Sequence, residues 1–201
     1  MQSSDAELLK SPHYAGFWIR VLAQIIDGLI ISLFIVFLSD SSRMAMILSQ
    51  LVSSAIFYGY IFYFYTKYGQ TLGKMLMKIK VVHLDGSPIH ASTVTRRKMV
   101  DIGLEVFRYT ATVTVLLAMS DSEFLSLPAK NRGAELLSSN RVIGATLFIA
   151  AVWSAVDCLT VVFNHQKRAV HDYIAGTVVI RLPKSDPASA SVPAPASVTD
   201  A

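Results

Sequence analysis

Two opposite charges lie within the first long apolar stretch of the chain, which runs from Ala15 to Leu38. Arg20 is near the start of this stretch and Asp27 is near its middle. In a helix these positions are almost two turns apart, so both side chains share one face. A charge at the centre of a bilayer costs a few kcal/mol even on the lower insertion scales, so the chain must pair these charges or use them.

Two later apolar stretches also carry charges. If all of them enter from the cytoplasmic side, they lie at a similar depth and form one layer in which acids slightly outnumber bases. The excess carboxylate could bind a cation or a proton. Alternatively, pairs such as Arg20–Asp27 and Arg108–Asp157 only fix the helices against one another. The predicted layer consists of Arg20, Asp27, Glu105, Arg108 and Asp157.

The composition indicates a membrane protein. Of 201 residues, 53% are hydrophobic and only 16% are charged, with a mean hydropathy of +0.48. Soluble domains have about a quarter charged residues. The net charge is +4, but the basic residues flank apolar stretches, which is typical of topology signals and contacts with anionic lipids. We therefore expect the lipid bilayer, with anionic lipids at its cytoplasmic face, as the partner, and no nucleic acid.

The apolar stretches predict four membrane-spanning helices, since about 20 residues cross a bilayer. The predicted spans are approximately 16–38, 44–66, 100–119 and 142–163. The third is the least apolar, so an alternative is that it lies at the interface and leaves three crossings. The basic loop between the second and third spans is expected in the cytoplasm together with both termini.

The predicted fold class is all-α integral membrane, a four-helix transmembrane bundle with a small cytoplasmic β element. Residues 77–82 alternate weakly before the turn pair Asp85-Gly86, and residues 177–180 are also β-prone. We divide the chain into a short cytoplasmic lead, a membrane domain and a disordered tail rich in Pro, Ala and Ser. These segments are residues 1–14, 15–182 and 183–201.

No motif indicates a cofactor, a metal site or an enzyme. Residues 69–74, Gly-Gln-Thr-Leu-Gly-Lys, are one residue short of the P-loop spacing, and Met75 stands where magnesium needs a hydroxyl. The histidines lack the spacing of metal ligands, and nothing indicates a nucleophile elbow.

Together these residues resemble the RDD family of small integral membrane proteins. That family has an arginine at the start of its first span and an aspartate in the middle, which Arg20 and Asp27 match. The resemblance runs from about residue 15 to 180, although Glu105 and Arg108 match no family motif. The family-motif residues are Gly69, Thr71, Gly73, Lys74, Asp85, Gly86, Arg97, His171, Asp172, Gly176 and Thr177.

The resemblance implies that distant motif residues meet at the cytoplasmic face. We therefore expect residues 78–82 and 177–180 to pair there as a small sheet beneath the bundle. Asp172 could then cap a local backbone end, or pair with Lys74 or Arg20.

The family's general function is unassigned. Transport of unknown ligands has been proposed, and cation/proton antiport is associated with some members. Our leading hypothesis is a multi-pass protein of the bacterial inner membrane that transports a cation, with or without proton coupling, or a small solute. Four spans are few for a transporter, which favours a homo-oligomer. The alternative is a non-transporting scaffold or adaptor whose buried charges specify helix packing.

Overall fold

The computed structural model describes residues 13–35, 42–128 and 132–183. These residues form mainly helices and one small sheet. The elements are α1 (Phe17–Ile35), α2 (Arg43–Tyr68), α3 (Leu72–Leu76), β1 (Ile79–His83), α4 (Ala91–Ala118), α5 (Asp121–Ser126), α6 (Arg132–Ser139), α7 (Arg141–Phe163), α8 (Val170–Ala175) and β2 (Thr177–Arg181). The predicted lead up to residue 12 and the predicted disordered tail from residue 184 lie outside the described residues.

Three helices within the described ranges are long and apolar enough to cross a membrane, namely α1, α2 and α7. They match three of the four predicted spans. The predicted end of the first span, at residue 38, lies outside the described residues.

The helix that contains the predicted third span differs from the prediction at its start. α4 begins at Ala91 and therefore includes the basic segment 96–98, which the sequence pattern assigned to a loop. The three consecutive basic residues at 96–98 interrupt the apolar periodicity by which a helix is recognised in a sequence. Thr93, Val94 and Arg97 are buried at helical spacing and extend the packed face of α4 toward its N-terminus.

α1 has one packed face and one lipid-like face. Ala23 and Ile31 are buried on the same side as Arg20 and Asp27. The opposite side exposes large apolar side chains at helical spacing, as expected of a helix in contact with lipid. These exposed residues are Trp18, Leu22, Ile25, Leu29 and Leu33.

α2 and α4 lie side by side and antiparallel. At one end, Nη1 of Arg43 donates to the carbonyl of Leu116 at 3.2 Å. At the other end, the guanidinium of Arg97 lies 5.7 Å from the ring centre of Tyr65. Residues 43 and 65 of α2 are about 33 Å apart at the helical rise, so α4 accompanies α2 over a distance comparable to the bilayer core.

The two strands form an antiparallel sheet in which Val81 lies opposite Val179. This confirms the small sheet predicted from the two β-prone segments. The chain before α1 also joins the sheet, since Tyr14 forms a bridge with Ile180 and the Ala15 N–H donates to the Val179 carbonyl at 2.9 Å. The end of the predicted lead is therefore part of the fold, because its backbone groups pair with β2.

A continuous apolar core connects the sheet to the ends of α1, α2 and α4. Burial of these side chains holds the sheet against the helices, so the helices serve as the second layer that a two-stranded sheet needs. The core residues are Ala15, Ala23, Ile61, Tyr65, Ile79, Val81, Ile89, Val94 and Val179.

At the end of the bundle opposite the sheet, the polar segment between α4 and α7 contains the two short helices α5 and α6. Ser120 and Glu123 form a capping box that starts α5. Phe124 and Leu136 from these helices bury against Leu116. Both helices lie between the predicted third and fourth spans, where the sequence pattern predicts no helix.

The short helix α3 packs directly against α1 at Gly73. A Cβ atom at this position would lie 2.1 Å from the carbonyl oxygen of Ala23 and 2.9 Å from Cγ of Asp27. The first of these neighbours is helix backbone, which cannot move aside as a side chain can. Only glycine therefore fits where α3 crosses α1.

We expect Gly73→Ala to lower the free energy of unfolding by about 2 kcal/mol or more, because the new methyl group would force α3 away from α1. The matched control is Gly103→Ala in α4, where an added Cβ meets nothing within 4 Å. That change should leave stability equal or raise it by up to about 1 kcal/mol. Thermal unfolding of both variants in the same detergent checks the prediction, and equal melting temperatures would contradict it.

Candidate functional site

The fully buried carboxylate of Asp172 joins α1, α4 and the start of the chain's second strand. Arg20 donates to Oδ2 at 2.6 Å, and Arg97 lies 2.6 Å from Oδ1. The Ala169 N–H donates to Oδ2 at 3.0 Å, which caps α8, and the Thr177 hydroxyl donates to Oδ1 at 3.3 Å. Of the three partners suggested from the sequence for Asp172, Arg20 and a local backbone end are therefore in contact with it, whereas Lys74 lies beside the Tyr65 ring.

The surroundings keep Asp172 ionised. Burial alone would raise its pKa, because a charged group loses its hydration. The positive charges of Arg97 and Arg20 outweigh this effect and hold the pKa of Asp172 well below its usual range.

His171 extends this network to α7. Nη2 of Arg97 can only donate, so Nε2 of His171, at 2.7 Å, must accept. The ring proton is then on Nδ1 and is donated to Oδ2 of Asp157 at 2.6 Å. Burial and the charge of Arg97 lower the pKa of His171 and favour this neutral ring. Asp157 thus bonds with His171, and not with Arg108 as one sequence reading suggested.

Asp27 belongs to a different set of contacts from Arg20. Its Oδ1 accepts from the Tyr60 hydroxyl at 2.6 Å and from the Gly73 N–H at 2.7 Å, and its Oδ2 accepts from the Thr71 hydroxyl at 2.5 Å. The Arg20–Asp27 pair that one reading allowed is replaced by these contacts. Their positions almost two turns apart on α1 let each side chain reach a closer partner on another element.

Glu105 and Arg108 form a third, separate group between α2 and α4. Arg108 Nε donates to Glu105 Oε2 at 3.0 Å. Glu105 also accepts from the Ser54 hydroxyl at 3.0 Å and from the Gln50 amide at 3.3 Å. The five residues of the predicted layer therefore divide among three groups in place of one layer.

A cavity of about 250 Å³ lies among α1, α2, α3 and α4. Its charged lining consists of four basic residues and one acid, which reverses the balance expected from the sequence. These residues are Arg20, Lys74, Arg97, Lys98 and Asp27. Arg20 and Arg97 share Asp172 as a partner, and Lys98 bonds Asp101 at 2.7 Å.

Tyr60 and Tyr65 also line the cavity, and the sequence reading missed both of them. They lie in an aromatic run that is typical of a lipid interface. The available signal was the helical period: Ile61 and Tyr65 are both buried and one turn apart, whereas Tyr63 is exposed.

The remaining family-motif residues shape the backbone around these groups. Gly69 ends α2 and Gly176 ends α8, and both have the positive φ that glycine adopts without strain. Asp85 and Gly86 lie in the turn after β1, where the Asp85 carboxylate accepts from the Ser87 N–H at 2.9 Å. Thr71, Gly73 and Lys74 belong to the α3 region described above.

A family model described as the RDD family matches residues 14–176. The chain belongs to the RDD family. No curated protein and no solved structure matches the chain. The RDD match covers the chain from α1 to the end of α8, so the contacts of Asp27 and nearly all of the Asp172 network lie within the RDD region.

We expect Asp172→Asn to lower the free energy of unfolding by about 3–5 kcal/mol, because two buried arginines would lose their counter-charge. The matched control is Asp121→Asn, which removes an ion pair of the same 2.6 Å length from a side chain that is 77% exposed. That control should change stability little. Unfolding of both variants in the same detergent provides the measurement. Similar losses of unfolding free energy would show that the buried Asp172 network contributes no more to stability than an exposed ion pair does.

Proposed function

We propose that this RDD protein crosses the membrane four times, through α1, α2, α4 and α7. α4 accompanies α2 for about 33 Å, so if α2 crosses, α4 crosses beside it. The charges that make α4 less apolar are directed to protein, since Glu105 and Arg108 bond with each other and with Gln50. A side chain satisfied in this way can lie at membrane depth at much lower cost than one facing lipid.

In this arrangement the sheet and both ends of the described chain lie on one side, which we propose is the cytoplasm of a bacterial cell. The supporting observation is charge. The segments around the sheet are rich in lysine and arginine, whereas the segment of α5 and α6 has a mixed composition. The basic residues of the first set are Lys67, Lys74, Lys78, Lys80, Arg96, Arg97, Lys98, Lys167, Arg168 and Arg181.

We propose that the protein binds a small solute in the cavity among α1, α2, α3 and α4 and transports it across the membrane. The observation that carries this proposal is the cavity itself, about 250 Å³ with charged side chains in its wall. A role in packing alone does not account for a pocket of this size, because helices that leave such a space between them give up contacts that would stabilise them.

The lining favours a solute other than a bare metal cation. Asp27 is the acid of the cavity wall, and its two oxygens already accept three hydrogen bonds from protein donors. A cation would have to displace Tyr60 or Thr71 from these oxygens, and it would also lie among four basic side chains.

A non-transporting scaffold or adaptor is the second candidate. The observation that favours it is the completeness of the contacts at Asp172, since four donors satisfy one fully buried carboxylate. Such a network specifies how the helices pack, and that role needs no solute.

The crossings can be tested with single cysteines. We expect Leu84→Cys and Ser122→Cys, both at exposed positions, to react with a membrane-impermeant maleimide from opposite sides of the membrane. The background is Cys158→Ala, which removes the one native cysteine. Labelling of oriented vesicles provides the measurement. If both sites react from the same side, α4 does not cross and the four-span proposal is wrong.

Transport can be tested in proteoliposomes under imposed gradients of sodium, potassium, phosphate and succinate. We expect saturable flux of at least one solute, and we expect Asp27→Asn to reduce it by about tenfold or more, since a tenfold change needs only about 1.4 kcal/mol. Asp27 anchors Tyr60 and α3 in the cavity wall.

Glu105→Gln is the matched control, because it removes an acid that lies outside the cavity lining. Its flux should equal that of the wild type. Absence of flux in a folded wild-type protein would favour the scaffold, and equal loss in both variants would contradict the assignment of transport to the cavity.

A further inference from the structure

Lys74 is a buried cation in the wall of the cavity without an acidic partner in the described part of the chain. Lys74 belongs to α3, and the residue as a whole is only 8% exposed. Its ammonium group lies 5.5 Å from the centre of the Tyr65 ring and hydrogen-bonds with the Tyr65 hydroxyl. A neutral tyrosine stabilises a cation by only about 1–3 kcal/mol through its ring or its hydroxyl, whereas removing an ammonium group from water costs several kcal/mol. The cavity therefore offers an unneutralised positive charge.

Arg97, in the wall of the same cavity, has an unsatisfied donor. Its terminal nitrogens bond with Thr177, Asp172 and His171, but its buried Nε–H has no acceptor among the described residues. An orphaned buried donor costs about 1–3 kcal/mol. Arg97 and Lys74 both lie against the Tyr65 ring and both line the cavity, so one acidic group could approach both.

The cavity changes from polar to apolar along α1. Beyond Asp27 its wall is formed by Gly28, Ile31 and Phe57, with Gly28 about 12 Å further along the helix than Arg20. Gly28 lines the cavity and yet is exposed, and a Cβ atom there would meet nothing within 4 Å. The apolar part of the cavity is thus open at the side of α1, between its packed face and its lipid-like face.

We propose that this cavity binds the acidic headgroup, a phosphate monoester or a carboxylate, of a lipid-like amphiphile. Lys74 and Arg97 neutralise the headgroup, and the hydrocarbon chain leaves past Gly28 and Phe57 into the bilayer. The proposal rests on the proposed function in one respect, that the cavity is the binding site. It names the class of ligand and needs no transport.

The test is a binding titration of the full-length protein in detergent with three probes, followed by thermal shift. The probes are dioctanoyl phosphatidic acid, dioctanoyl phosphatidylcholine with the same chains, and inorganic phosphate. We expect phosphatidic acid to bind at least about tenfold more tightly than either of the others, because it alone supplies both the accessible charge and the chain. Equal affinity for the two lipids, or equal affinity for inorganic phosphate, would overturn the proposal.

Two pairs of variants locate the site. Lys74→Gln should weaken binding of phosphatidic acid by about tenfold or more and Lys74→Arg should restore it. Lys67→Gln is the control, since Lys67 also lies over tyrosine rings, at 5.3 and 5.4 Å, but outside the cavity. It should bind as the wild type does.

Gly28→Leu would place a side chain in the lateral opening and should also abolish the preference for phosphatidic acid, whereas Gly103→Leu in open space should not. This pair keeps the proposal testable if Lys74→Gln fails to fold. Unchanged binding in Gly28→Leu, or losses in the two controls equal to those in the site variants, would refute the amphiphile site. Binding of phosphatidic acid without any flux would contradict the transport proposal and leave the amphiphile site standing. Flux of a soluble solute without a preference for phosphatidic acid would contradict the amphiphile site and leave the transport proposal standing.

Discussion

The buried charge of Asp172 is the interaction on which the arrangement of this protein depends. A carboxylate without exposure to water must have counter-charges and hydrogen-bond donors, and here they come from α1, α4, the start of α8 and the start of β2. Because these elements are distant in the sequence, the requirements of one side chain determine how the end of the bundle closes. The sheet then needs only a few apolar contacts to complete the closure.

α1 holds two such attachment points on one face. Arg20 joins it to Asp172, and about 10 Å further along Asp27 joins it to Thr71 and Gly73 of the α3 region. Arg20 therefore fixes the segment that follows α7, and Asp27 fixes the segment that follows α2. The opposite charges look like a pair in the sequence, but in the structure they act as two separate anchors.

The elements of this fold could be predicted from the sequence better than their contacts could. Apolar length predicts the helices, and β-branched residues such as Val81 and Val179 predict the strands. Helical spacing predicts which residues share a face, but it does not identify the partner that approaches this face from another element. For that reason the bonds of Asp27 with Tyr60 and of His171 with Asp157 were not foreseen. The early start of α4 was missed because charged residues on a packed face look like a loop when only hydropathy is considered.

The balance of charge in the cavity shows why contacts matter for function. The charged residues within the apolar stretches include more acids than bases, which pointed to a cation as the ligand. Lys74 lies outside every such stretch and was therefore not counted. The fold brings Lys74 into the cavity because the absent side chain of Gly73 lets α3 approach the backbone of α1, where Asp27 accepts the Gly73 N–H. A helix of five residues cannot hold this position without such support. Asp27 is therefore a positioning residue: its carboxylate secures the short helix that brings the ammonium group of Lys74 into the cavity wall, and on our proposal this is the charge that an acidic headgroup neutralises.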